Sequence, residues 1–342
     1  MPKPPVPAID ALWQWWTASA DRLYDAIASK ELAQHSDEIT QHVKQVHDDL
    51  EWEFGPGLDA EHAFCLSGKG DPLVRMLAER ACLEAPDGGD RWEFHPVRLR
   101  DPGDPTRFTL AFDDLDVPLD AFRVVIEEDP SREVLHIGVW HPRYPDMPDD
   151  LPGIATFIAL DHAIGEDGVE TWLGAVELLE EPPDADSGAQ SLAALREAVD
   201  ALAGSATGER WAVLEGAHPE TGKPMLLSAN LALKRWAWPD HDQCGELRIH
   251  MRDPRDDGLP ESDELQALND FEDQLVESLG DDAVYLGRET GNGMRLLHVA
   301  ATGRGPAEQQ VAEWEAAVRA DGWEVDVIWI DDPTWSVRRR WM

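Results

Sequence analysis

The chain has 342 residues, of which 42% are hydrophobic, and its 69 Asp and Glu against 29 Lys and Arg give a formal net charge of −40. The length and the apolar content predict two domains with buried cores rather than a disordered chain. So large an acidic excess repels phosphate groups, which argues against direct nucleic-acid binding and against docking on anionic membranes. It is compatible with a solvated surface, or with an acidic face that accepts a basic protein segment.

The first 180 residues predict an α+β domain. Amphipathic patterns indicate a helix over residues 7–27 and a second helix that begins at Ser36, which we expect to be its N-cap. Two strand–strand–helix–strand sets follow, and their shared order suggests two tandem β-β-α-β units over residues 1–180. The first set has strands near 50–54, 62–67 and 91–99 with a helix from Asp71, and the second has strands near 122–127, 133–140 and 172–179 with a helix over 154–163.

The acidic, proline-bearing segment 181–190 predicts a linker, so that residues 191–342 form the second domain. A short helix over 191–203 and a hairpin within 211–231 begin this domain. The pattern then reads strand, helix, strand, strand, helix, strand, which is the split β-α-β order of a ferredoxin-like domain. Its central hairpin turns at Gly291-Asn-Gly293, where two glycines supply the positive φ angles of a tight turn.

The sequence lacks the motifs that usually mark an enzyme. No glycine-rich dinucleotide loop, P-loop, nucleophile elbow or His-Glu-x-x-His motif is present. Three distant cysteines, Cys65, Cys82 and Cys244, form no Cys-x-x-Cys pair and predict buried, reduced thiols. We therefore assign no catalytic residue, no metal and no cofactor.

The N-terminal residues have no apolar run of signal-peptide length, and no segment reaches the ~18 consecutive apolar residues of a membrane span. We therefore expect a cytoplasmic protein. Most tryptophans, among them Trp211 and Trp314, fall in predicted strands or on apolar helix faces and are expected in the core. Trp335 and Trp341 lie nearer the ends of elements and are better candidates for an interface.

The hairpin of the second domain is the first candidate for recognition. Two arginines gather scarce positive charge beside the glycine turn, as a contact to an anion or a carboxylate would require. The candidate binding residues are Arg288, Thr290, Asn292, Arg295 and His298. The alternative is that both arginines pair with Glu289, Asp281 or Asp282 and serve solubility.

A second candidate lies at the predicted end of the helix over 154–163. Asp161, His162, Glu166 and Asp167 surround Gly165 and could bind a divalent cation or transfer protons. This cluster supports the alternative hypothesis of a metal-assisted or acid–base enzyme, with Asp161 and Glu166 as its binding residues. The simpler interpretation is a helix that ends at Gly165, followed by a turn capped by acidic residues.

The C-terminal tail is the third candidate. Three consecutive arginines, 338–340, lie between Trp335 and Trp341. They predict docking of the tail onto the protein's own acidic surface or onto a partner, with Trp335 as a binding residue. Exposure of both tryptophans in one apolar patch would favour a structural subunit.

Two sets of short motifs resemble bacterial proteins that are classed as domains of unknown function. The motifs are Leu151-Pro-Gly-Ile154, Asp161-x-Ala-Ile-Gly165 and Trp172-Leu-Gly in the first half, and Asp257-Gly-Leu-Pro260, Tyr285-x-Gly287-x-x-Thr290-Gly-Asn-Gly293 and Asp332-Pro-x-Trp335 in the second. The second half is similar to the regulator of ribonuclease E activity type B, a small acidic ferredoxin-like inhibitor. The resemblance implies a ferredoxin-like fold over about the last hundred residues and a non-catalytic character.

These observations favour a cytoplasmic, non-enzymatic α+β protein that presents an acidic surface to a basic segment of a protein partner. By analogy with the inhibitor, that segment would belong to an RNA-processing enzyme. The sequence does not define the oligomeric state.

Overall fold

A computed structural model describes residues 6–112, 115–184, 188–303 and 305–341. The chain is an α+β protein with two compact units, one ending at Ala206 and the other beginning at Thr207. Within the described residues, no helix is long and apolar enough to cross a membrane.

The first unit contains the helices α1 (Val6–Ser29), α2 (Ser36–Lys44), α3 (Pro72–Leu83), α4 (Leu151–Ile164), α5 (Glu166–Trp172) and α6 (Leu192–Ser205). Its strands are β1 (Glu51–Pro56), β2 (His62–Ser67), β3 (Trp92–His95), β4 (Thr109–Phe112), β5 (Leu115–Pro118), β6 (Arg123–Asp129), β7 (Val134–Trp140) and β8 (Leu173–Leu178).

Two three-stranded sheets of the first unit have the same construction. In the sheet β1-β2-β3, the first pair is antiparallel and the second pair is parallel. In the sheet β6-β7-β8, the first pair is likewise antiparallel and the second pair parallel. Each sheet thus consists of a hairpin and a third strand, which follows a helical segment and lies parallel to the second strand of the hairpin. A separate hairpin, β4–β5, was not predicted from the sequence.

The first sheet has an aromatic core. Trp16 is 2% exposed and stacks on the buried Phe64, with ring centroids 4.7 Å apart. The indole of Trp13 donates a hydrogen bond to the carbonyl oxygen of Ala81 at 2.8 Å, which ties α1 to α3. These large side chains give the three short strands a core that strands of four to six residues could not supply alone.

Helix α6 belongs to the first unit and not to the second domain, to which the sequence pattern assigned it. Its apolar stripe packs in the same buried cluster as Val124 of β6 and Ala159 of α4. That stripe consists of Leu192, Leu195, Val199 and Leu202. The division therefore follows α6 instead of falling at 181–190, and residues 185–187 of that predicted linker lie outside the described residues.

The N-cap predicted at Ser36 is also corrected. Ser36 is the first residue of α2, and its hydroxyl donates to the carbonyl oxygen of Ala33 at 2.6 Å. At α3, by contrast, the Asp71 carboxylate accepts from the backbone N–H of Leu73 and of Val74 at 2.8 and 3.2 Å. Asp71 thus performs the capping role, ahead of a proline at the first helical position.

The second unit contains, in chain order, β9 (Trp211–Ala217), β10 (Pro224–Asn230), β11 (Gln243–His250), α7 (Ser262–Leu279), β12 (Ala283–Gly291), β13 (Met294–Ala301), α8 (Ala307–Ala320), β14 (Glu324–Asp331) and α9 (Ser336–Arg339). Its strands form one six-stranded sheet in the order β14-β11-β13-β12-β10-β9. All neighbouring pairs in this sheet are antiparallel.

Helices α7 and α8 cover one face of this sheet. Leu268 and Leu275 of α7 and Val311 of α8 are fully buried against sheet residues such as Leu247. The indole of Trp314 donates to the carbonyl oxygen of Phe271 at 2.8 Å and joins the two helices. We call this side of the sheet the helix face.

The C-terminal tail covers part of the opposite face of the sheet. Trp335 is 1% exposed, packs with Cys244 and Leu286, and donates from its indole to the carbonyl oxygen of His241 at 3.0 Å. Arg338 donates to the carbonyl oxygen of Leu231 at 2.9 Å. The tail therefore docks on its own unit, which is the more economical interpretation of its sequence, and the buried Trp335 does not provide the exposed apolar patch that would favour a structural subunit.

We predict that Trp335→Ala destabilises the second unit by ~3–5 kcal/mol, because it leaves a large cavity under the tail. Trp211→Ala is the matched control, since Trp211 is 50% exposed and lies in the same unit. Urea unfolding followed by circular dichroism measures both variants. Equal losses in the two variants would contradict the placement of the tail.

Candidate functional site

A buried carboxylate on α7 organises the predicted hairpin site. Glu272 is 7% exposed and accepts hydrogen bonds from Arg288 at 2.5 Å, from the Tyr285 hydroxyl at 2.9 Å and from Arg295 at 3.3 Å. One carboxylate thus serves two guanidinium groups. The pairing of these arginines with Asp281, Asp282 or Glu289, which the sequence left open, is replaced by an ion pair to a helix residue.

Arg295 lies inside the unit. It is 1% exposed, and it donates to the side-chain oxygen of Asn269 at 2.7 Å and to the Thr290 hydroxyl at 3.2 Å. Burial lowers the pKa of Arg295, and the charge of Arg288 adds to this effect. Burial, together with Glu272, raises the pKa of Tyr285. Arg295 and Thr290 therefore hold the site together, and Arg288 is the more accessible arginine.

The five predicted hairpin residues do not form one site. Arg288, Thr290 and Arg295 belong to the Glu272 network. His298 is fully buried, with its Nε2 3.3 Å from Glu289 and its ring against Trp341. Asn292 and Gly293 form the two-residue turn, at φ angles of 50° and 79°, and Gly291 precedes it at 158°, so that both predicted glycines have positive φ and Asn292 is a third such residue.

A groove lies between α7 and strands β9 and β10, and we call it the α7 groove. It consists of two clefts, of about 470 and 330 Å³, that share Ser228 and Arg288 as lining residues. The larger cleft is lined by acidic and aromatic side chains, which include Trp211, Glu272, Asp273, Glu277 and Tyr285. The smaller cleft is mostly apolar and includes Val213, Leu226, Leu259, Pro260 and Leu265.

Apolar side chains in this groove are open to solvent. Val213 of β9 is 65% exposed, Val276 is 41% exposed and Leu265 is 40% exposed. Trp211 is half exposed and stacks on Tyr285, with centroids 5.8 Å apart. The expectation that Trp211 lies in the core is therefore wrong. Residue alternation on a strand does not reveal whether a helix covers that part of the sheet.

The free charge of the groove is acidic. Asp273 and Glu277 are one helical turn apart, are exposed, and pair with no cation among the described residues. Helix α7 contains six acidic residues and no lysine or arginine. Each of the groove's arginines already has a carboxylate partner, since Arg288 and Arg295 share Glu272 and Arg255 pairs with Asp257 at 2.6 Å. An aromatic ring beside unpaired carboxylates suits a lysine or arginine side chain.

The acidic cluster of the first unit has a different character. Helix α4 ends at Ile164 and Gly165 follows with a φ angle of 79°, as the simpler interpretation predicted, although a new helix, α5, then begins directly at Glu166. Glu166 is 3% exposed and accepts from the Ser67 hydroxyl at 2.9 Å and from the backbone N–H of Arg98 at 3.0 Å. Glu166 therefore connects β2 to α5.

Two further carboxylates in this cluster face arginines. Asp161 lies 3.6 Å from Arg98, and Glu170 lies 3.0 Å from Arg75. Burial raises the pKa of Asp161 to about 7, with the charge of Glu166 as a second cause. Burial also raises the pKa of Glu170 to about 8. The pKa values of both carboxyl groups therefore lie near neutral pH.

The cluster does not have the geometry of a metal site. Both oxygens of Glu166 accept hydrogen bonds from the scaffold, and Asp167 is 56% exposed at its side chain. The ring of His162 lies 5.1 Å from that of Phe108. In the part of the chain that the structure describes, no three His, Cys, Asp or Glu side chains could hold a metal ion together. The carboxylates of α5 instead connect this helix to β2 through Ser67 and to α3 through Arg75.

The second unit, an antiparallel sheet with two helices on one face and an open groove beside them, is matched by a family. Residues 218–339 match DUF695, a family of unknown function. The match supports the resemblance of the second half to a domain of unknown function, and it includes β10, α7 and the hairpin but not β9.

No curated protein matches the chain. A crystal structure of a protein from Thermus thermophilus aligns over 90% of the chain with 11% identity and a TM-score of 0.16. The chain spans 40% of the length of that protein. A similarity of this size carries no argument about fold or function.

We predict that Glu272→Gln destabilises the protein by ~3–5 kcal/mol, because it leaves two guanidinium groups without their buried counter-ion. Asp273→Asn is the matched control on the same helix, and its exposed side chain predicts a change within about 0.5 kcal/mol. Urea unfolding of both variants provides the test. A near-neutral Glu272→Gln would show that the buried network is not required.

We predict that the effect of Glu170→Gln on stability depends on pH. The raised folded-state pKa means that the native protein retains the Glu170 proton more strongly than the unfolded chain, so stability falls as pH rises through about 8. The melting temperature of Glu170→Gln relative to wild type should therefore rise between about pH 5 and 9. A difference that stays flat over this range for Glu170→Gln would refute the raised pKa of Glu170.

Proposed function

We propose that the protein is a non-enzymatic binding module that captures a basic segment of a partner protein in the acidic half of the α7 groove. The observation that carries this proposal is the pair of unpaired carboxylates, Asp273 and Glu277, beside the half-exposed ring of Trp211. The contact of Arg288 with the buried Glu272 holds the floor of the cleft in place.

The energies favour a cationic partner. A lysine or arginine over an indole ring contributes ~0.5–1 kcal/mol when exposed and ~2 kcal/mol when desolvated. The surrounding net charge of −40 attracts basic segments over a longer range and accelerates their association. Because salt screens this attraction, binding should weaken as ionic strength rises.

A ferredoxin-like assignment of the second unit forms part of this proposal. It is supported by the chain order β11-α7-β12-β13-α8-β14 and by the sheet order β14-β11-β13-β12. The ferredoxin-like fold is also the basis of the similarity to the regulator of ribonuclease E activity type B. From that similarity we propose that the partner segment is a basic part of an RNA-processing enzyme. This last step is an analogy between folds.

Two further parts of the proposal concern the rest of the chain. The equal strand order and pairing sense of β1-β2-β3 and β6-β7-β8 support a tandem pair of β-β-α-β units in the first unit. The three free cysteines are compatible with a cytoplasmic, reducing location.

The test is affinity capture of partners with full-length protein at low and high salt, measured by quantitative mass spectrometry. The double variant Asp273→Asn/Glu277→Gln should recover about tenfold less of a basic partner than the wild type does, which is equivalent to ~1.4 kcal/mol of binding free energy. Glu308→Gln/Glu313→Gln removes the same charge from exposed positions of α8 and should retain it. Equal recovery by both double variants, or recovery independent of salt, would contradict the proposal.

A further inference from the structure

The helical layer of the second unit is narrower than its sheet. Six strands spaced ~4.8 Å apart place the outer two about 24 Å from each other. Packed helices lie ~8–10 Å apart, so two helices cover about four strands. Here α7 and α8 pack over β14, β11, β13 and β12, and strands β10 and β9 extend beyond them. The uncovered strip is about as wide as one helix.

We propose that this strip binds one amphipathic, basic α-helix of the partner, which lies beside α7 as a third helix on the sheet. The inference rests on the proposed function, because it takes the α7 groove as the binding surface. It adds the conformation and the residue pattern of the bound segment.

The floor of the groove has the composition of a helix-packing surface. Alternation along β9 places Trp211, Val213 and Glu215 on the helix face, and Val213 is paired with Ser228 of β10. Leu226 of β10 lies on the same face, and Leu265 and Val276 of α7 form the side wall. Val213, Leu265 and Val276 are exposed and Leu226 is half-buried, and these groups lie over a face of the sheet and not along its edge.

The length of the strip matches a short helix. The seven residues of β9 extend over ~24 Å. A helix of about 16 residues has the same length at 1.5 Å per residue. Apolar residues spaced at i, i+3, i+4 and i+7 would contact Val213, Leu226 and Leu265, as in other helix-in-groove complexes.

Charge defines the remaining face of the bound helix. Asp273 and Glu277 border one end of the groove, and Glu215 shares the helix face of β9. A bound helix with lysine or arginine next to its apolar stripe would pair with these carboxylates. A strand added to the edge of β9 would instead leave Leu226 and Leu265 uncovered, so the exposed surface favours a helix over a strand.

The experiment is a selection of random 18-residue peptides by mRNA display against the full-length protein. We expect enriched peptides to be basic, to have apolar residues at helical spacing, and to gain helical circular dichroism on binding. Their affinity for Val213→Arg should fall at least tenfold, while their affinity for Leu214→Arg should stay within about twofold. Leu214 is the matched control because it is the next residue of β9, is 39% exposed and points to the opposite face.

Three outcomes overturn the inference, and they separate it from the proposed function. Basic peptides that bind without gaining helix, or with strictly alternating apolar residues, overturn the helix and leave the proposed function intact. Peptides without an excess of lysine and arginine, or insensitive to Asp273→Asn/Glu277→Gln, overturn both. Equal weakening by Val213→Arg and Leu214→Arg places the site elsewhere. Leu265→Arg on α7 replaces Val213→Arg if the latter alters the urea midpoint.

Discussion

The architecture of the second unit depends on how the two faces of one six-stranded sheet are covered. An antiparallel sheet with apolar residues on both faces must bury both. On one face, α7 and α8 protect the four strands nearest them, and on the other the tail inserts Trp335 against Cys244 and Leu286. Among the described residues of the sheet, the large apolar side chains exposed on the helix face are Trp211 and Val213 of β9, with the half-buried Leu226 of β10 beside them. The binding surface is thus a consequence of incomplete cover.

Buried charge keeps this groove in one shape. Glu272 has three donors, and each of them lies on β12 or β13, so the carboxylate fixes α7 over the hairpin. A buried ion pair contributes little net stability, but the loss of one member is costly because it leaves an uncompensated buried charge. The Glu166 cluster of the first unit has a comparable role, because it joins α5 to β2 through Ser67.

Local pattern predicted the elements better than it predicted their neighbours. The stripe of α7, the hairpin turn near Asn292 and the helix end at Gly165 were all evident, because periodicity and positive φ are properties of short segments. The packing of α6 on the first unit, the burial of Trp335 and the role of Glu272 depend on residues far apart in the sequence. Arg288 was predicted as a binding residue and Trp211 as a core residue, and only the fold shows that both line one groove with Asp273.

The most direct test is photo-crosslinking in cells that produce the full-length protein, with a photoreactive amino acid placed at Val213 in one strain and at Leu214 in another. The two positions are adjacent in β9 and both are exposed, but they point to opposite faces of the sheet. We expect a discrete adduct with a basic protein at Val213 and none at Leu214. Adducts of equal yield at both positions, or an adduct at Leu214 alone, would contradict the α7 groove as the binding surface.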